Sequence, residues 1–158
     1  MSVMKLMLGL ALSAFASIGF AQQPTYGPTD VTADQAKKIV AGSIAHAQKN
    51  KWPVAVAVVD RHGFLVYFER MEDTQTLSVQ VAIDKAKTSG MSRRPSRVFE
   101  EGVAKGRNAL LGLGGVTPIT GGVPITVGGK VIGAIGVSGG TSSEDAQVAT
   151  AGVDALKK

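Results

Sequence analysis

From Thr32 to Asn50 the positions Ala36, Ile39, Val40, Ser43, Ile44 and Ala47 recur three or four residues apart, which predicts a helix with one buried stripe. "TADQ" at its start is a capping box: the Thr32 hydroxyl and the Gln35 side chain satisfy first-turn amides reciprocally. The period then changes. Val54–Asp60 is a continuous run of valine and alanine, too short for another helix and suited to a buried strand. After the turn "RHG", Phe64–Arg70 reads as its hairpin partner. Helical spacing returns after Asp73 and Thr74, at Val79, Ala82, Ile83 and Ala86. Pro95-Ser96 starts another helix, carried by Phe99 and Val103, and residues 106–115 read as a loop.

The stretch "GGVPITVGGKVIGAIGVSGG", Gly121 to Gly140, carries eight glycines. It divides into strands at Val123–Val127 and Lys130–Val137 around a Gly128-Gly129 turn. A further short strand is expected near Pro118–Thr120. Gly133 and Gly136 lie inside a strand, where glycine marks the close approach of another backbone or a ligand. With Gly121 and Gly122 they predict a shallow sheet face, suited to a flat ligand or a neighbouring subunit. The last helix starts near Ser142 and is expected to bury Ala146, Ala149, Val153 and Leu156, with acids in its first turn and lysines at its end. Strands this apolar need cover on both faces, so the order predicts a three-layer α/β/α sandwich with one antiparallel sheet of about five strands.

Composition narrows the chemistry. Without cysteine there is no disulfide, thiolate metal site, cysteine nucleophile or covalent haem attachment. The net charge of +5 comes with 5% aromatics and no long basic run, which argues against a nucleic-acid partner. At the N-terminus, Lys5 precedes an apolar run from Leu6 to Phe20 that closes on Gly19-Phe20-Ala21. This reads as a signal peptide over residues 1–21, and the run is shorter than the roughly 20 residues of a spanning helix, so no stable membrane anchor is expected. Residues 22–30 read as an extended leader and 31–158 as the domain. The expected location is periplasmic or secreted, away from ATP and NAD(P)H.

Three segments, "VAVAVVDRHGFLVYFERME", "SVQVAIDKAKTS" and the glycine-rich stretch followed by Glu144-Asp145 and "ATAGVDAL", together resemble the GlcG/HbpS family, also seen as the C-terminal domain of PduO-type proteins. The resemblance implies a profilin-like or PAS-like sheet and a homo-oligomer, from dimer to octamer. For secreted members it also implies haem or, less often, corrinoid binding. One departure stands out. Relatives that handle iron carry two glutamates in the helix before "KA", where this chain has Gln80 and Ile83, neither a hard anionic ligand.

The candidate haem contacts are His46, His62, Met71, Arg93, Arg94 and Arg97. His46, at the edge of the first helix's apolar stripe, is the candidate iron ligand, with a plainer reading as a flank residue with a solvated tip. His62 in the hairpin turn and Met71 after the second strand are alternative contacts, each with a plainer reading as a solvated or a packing residue. The arginines, with Arg107, Lys85 and Lys87 nearby, pair with propionates, or else form a solvated basic face. There is no G-x-S-x-G elbow or Walker loop, and nothing pairs an acid with either histidine, so no catalytic residue is assigned. The expected function is a secreted haem-binding protein for uptake, sequestration or sensing. The alternatives are an enzyme or accessory factor for a small organic acid such as glycolate, and an oligomeric scaffold with no small ligand.

Overall fold

The computed structural model describes residues 30–157, so the expected signal peptide and nearly all of the leader lie outside the described residues. Helix α1 (Ala33–Asn50) begins with the expected capping box and ends at Lys51, which adopts the left-handed conformation. Strands β1 (Ala55–Asp60) and β2 (Leu65–Arg70) form the first hairpin. Asp60 shapes its turn by accepting the His62 and Phe64 amides at Oδ1 (2.8 and 2.9 Å), a local bond that fixes an Asx turn. Helices α2 (Thr76–Ser92) and α3 (Arg97–Ala104) follow, then a short 3-10 helix over Asn108–Gly112 inside the expected loop. Strands β3 (Gly122–Val127) and β4 (Lys130–Ser138) and helix α4 (Ser142–Ala155) complete the fold. Gly128 and Gly129 both have positive φ, as a two-residue turn of this hand demands.

The sheet is antiparallel throughout, in the order β2-β1-β4-β3. Val56 and Val58 of β1 face the larger core with Ile135 and Val137 of β4 and Ile39, Val40 and Ile44 of α1. Ala55, Ala57 and Val59 face Ala82 and Ala86 of α2 on the other side. Every side chain from Val54 to Val59 is fully buried, which explains why β1 shows no polar alternation. The α/β/α sandwich is therefore observed, with four strands among the described residues where about five were expected. Residues 118–120 form no strand because side chains take up their backbone groups. Ser96 Oγ donates to the Ile119 carbonyl (2.7 Å), and Glu100 accepts the Thr120 amide (2.9 Å).

The glycines of β3 and β4 do not leave an open face. A Cβ on Gly136 would collide with the Ala82 carbonyl and Ala86 amide of α2, and one on Gly122 with the Lys85 carbonyl. A Cβ on Gly133 would come within 2.9 Å of Val31. The chain's own helix α2 and Val31 occupy the space that the sequence reading gave to a flat ligand or a second subunit. On the other layer, Gly152 of α4 lies against α1, where a Cβ would sit 2.8 Å from the Ile39 carbonyl.

Two helix faces differ from expectation. Helix α4 buries Asp145, Val148, Ala149 and Gly152, while Ala146, Val153 and Leu156 are only partly covered. Helix α2 buries Ser78, Ala82, Lys85, Ala86 and Ser89, with Val79 and Ile83 half-buried. In both, small residues face the closest neighbour and a charged residue is buried among them.

Candidate functional site

A depression lies along α4, where His46 from the end of α1 meets Ala146, Gln147, Thr150 and Ala151 in a groove of about 440 Å³. The His46 ring leans towards Trp52, with centroids 6.1 Å apart and planes tilted by 51°. Its Nε2 is buried and has no hydrogen-bond partner. Such an atom costs free energy until something bonds to it. A second hollow, of about 310 Å³, shares Ala146 and Thr150 with the first and is bounded by Arg97, Pro95, Gly121 and Val123. The two hollows adjoin at Ala146 and Thr150 as a furrow, with the His46 imidazole lining one and the Arg97 guanidinium the other. Arg97 is exposed and reaches Glu101 at 3.5 Å, a surface pair weak enough to be exchanged for a ligand carboxylate.

The other expected contacts do not join this furrow. His62 sits at the far end of the sheet, past the six residues of β1, roughly 20 Å of strand away from the α1 end. There it meets Arg61, Met91 and Arg93 around a separate basic hollow, and its Nε2 accepts from Arg61 Nε at 3.2 Å. Arg94 is exposed and lines none of these hollows, and Met71 packs against the larger core.

Lys85 behaves differently from the basic surface it was grouped with. Its Nζ lies 2.7 Å from Asp145 Oδ2 and 3.0 Å from the Val137 carbonyl, and both side chains are almost wholly buried. Asp145 Oδ1 accepts the Gly140 amide at 3.0 Å. Burial pushes the Asp145 carboxyl above its ordinary range and outweighs the opposing pull of the Lys85 hydrogen bond and charge and of the Gly140 amide. A signal was present in the sequence. Lys85 stands three residues after Ala82, next to Ala86 and four before Ser89, on the small-residue face that α2 turns to the sheet.

A family model described as haem-degrading protein, HbpS-like, matches residues 31–154. The chain belongs to the HbpS-like family. Among HbpS-like relatives, Protein GlcG of Escherichia coli K12 is 40% identical over 103 residues, covering 65% of this chain and 77% of GlcG. A crystal structure of a double Glu-to-Asp mutant of HbpS from Streptomyces reticuli superposes with a TM-score of 0.74 at 28% identity, covering 92% of this chain and 97% of that one. A crystal structure of a PduOC–haem complex superposes with a TM-score of 0.72 at 26% identity, covering 80% of this chain and 94% of that one. Within this HbpS-like chain, Gln80 donates to Asp84 Oδ1 (2.9 Å) and Ile83 packs against the smaller core, so neither position supplies a carboxylate. No group of three or more His, Cys, Asp or Glu side chains among the described residues is placed to hold a bare metal ion. Likewise, no helix among them is long and apolar enough to cross a membrane.

Proposed function

We propose that this protein binds haem non-covalently, as an exported protein acting in uptake, sequestration or sensing. The observation that carries this reading is the unpartnered Nε2 of His46 beside an apolar furrow that ends at Arg97. The donor set fits the group. Imidazole is a common axial ligand of haem iron, alanine side chains accept a flat apolar ring, and a guanidinium pairs with a carboxylate bidentately. Likeness to a haem complex over 94% of that chain supports the same reading. In this assignment the His46 ring would turn its buried Nε2 outward to hold the iron, Ala146 and Ala151 would flank the porphyrin, and Arg97 would pair with a propionate; bound haem would supply the redox and ligand-binding chemistry. Export rests on the sequence alone, on Lys5 and the apolar run to Phe20.

Titration with haemin is expected to give a saturable, red-shifted Soret band at one haem per chain. His46→Ala should weaken binding at least about tenfold and change the band position, while Arg97→Ala should weaken it several-fold with the band unchanged. His62→Ala should leave both as they are. A spectrum of the His46→Ala protein superimposable on the parent's would overturn the assignment.

We also infer a homo-oligomer. Phe64, 73% exposed, stands with exposed Leu65 at the β1–β2 turn, and exposed Met91 packs against Gly63 in the same turn, an apolar surface beside basic residues. Light scattering after size exclusion is expected to give a mass of at least two chains, reduced by Phe64→Glu. A parent protein that elutes as a single chain removes this inference and leaves the haem reading in place.

A further inference from the structure

A separate cavity of about 220 Å³ ends on the Lys85–Asp145 pair. Its floor is polar, with Ser78 and Ser138 beside the pair, and its lip carries the exposed side chains of Leu77 and Ile119. An ammonium has three protons to donate, and Lys85 gives one to Val137 and one to Asp145, so one remains. A carboxylate has room for about four hydrogen bonds, and Asp145 accepts only those from Gly140 and Lys85. A spare donor and a spare acceptor therefore stand side by side where the pocket reaches the buried pair.

Charge decides what fits. The pair sums to zero, so an anionic ligand would bring an uncompensated charge into a desolvated site, whereas a neutral polar one would not. We propose that this cavity binds a small neutral α-hydroxycarbonyl compound. Its carbonyl oxygen accepts from Lys85, its hydroxyl donates to Asp145, and its short apolar end lies against Leu77 and Ile119. A carbonyl oxygen accepts the ammonium's hydrogen bond without presenting a hydrogen of its own. A diol hydroxyl also accepts from the ammonium but needs a further acceptor for its own hydrogen, which the carbonyl does not. The site shares no lining residue with the His46–Arg97 furrow, so this inference does not depend on the haem reading.

The test is ligand-observed NMR on the purified protein with hydroxyacetone, propane-1,2-diol and lactate at neutral pH. Hydroxyacetone is expected to bind saturably with a Kd on the order of 1 mM, and lactate at least about tenfold more weakly. The double variant Lys85→Met/Asp145→Leu removes both charges while keeping the volume filled. It is expected to fold, by circular dichroism, and to lose hydroxyacetone binding while still taking up haemin; Arg97→Ala should keep hydroxyacetone binding. Absence of saturable hydroxyacetone binding, lactate or diol binding as tight as hydroxyacetone, or a folded double variant that still binds hydroxyacetone would each overturn the proposal.

Discussion

Asp145→Asn and Lys85→Met are each expected to destabilise the protein by about 3–5 kcal/mol, lowering Tm by roughly 10 °C or more. Either change strands the partner's charge in a site that is almost wholly buried. The double variant Lys85→Met/Asp145→Leu is expected to recover most of that loss, because two apolar side chains carry no desolvation cost. Urea unfolding of the four proteins measures the effect, and additive single losses would mean that the two groups do not act as a pair.

The pH dependence follows from the raised Asp145 carboxyl, whose largest cause is burial. The folded protein holds this proton more tightly than the unfolded chain does. The group's contribution to folding is therefore fully present below the ordinary value of 3.8 and is lost as the pH rises through the raised one. Acidification from neutrality towards pH 4 is thus expected to shift the stability difference between parent and double variant in the parent's favour. A shift the other way would show that the Lys85 hydrogen bond and charge outweigh burial at Asp145.

Gly136→Ala is expected to cost on the order of 3 kcal/mol or more and to blur the near-ultraviolet spectrum. The added methyl would meet main-chain atoms of α2, including Ala86 Cα at 3.0 Å, and a helix backbone cannot rotate aside as a side-chain tip can. Gly114→Ala is the matched control, with nothing within 4 Å of its Cβ, and should stay within about 0.5 kcal/mol of the parent. Equal stability of the two variants would show that α2 does not lie directly on β4.

The elements were legible in the sequence because local chemistry marks their ends. The Thr32 box, the Gly128-Gly129 turn and the first-turn acids of α4 each act within a few residues, and the structure places them as read. The buried faces of α2 and α4 were harder to read. An apolar-stripe rule passes over glycine and serine and sends charge to solvent, whereas these helices pack through Ser78, Ser89 and Gly152 and bury Lys85 against Asp145. The small-residue face marks Lys85 for burial, but its partner lies 60 positions away, so no local pattern names Asp145. His46 was legible as an edge residue of α1. Its companionship with Arg97 depends on how α4 crosses α1 and lies beside β3, which only the tertiary fold supplies.

The strand order has a consequence for biosynthesis. β1, made early, takes its inner neighbour from β4, with Ala55 facing Ser138 across more than half the chain. Until that late strand has left the ribosome, the first hairpin carries an unsatisfied hydrogen-bonding edge and a bare valine surface. Folding therefore waits for the C-terminus. For that interval the incomplete chain needs shielding from other copies of itself.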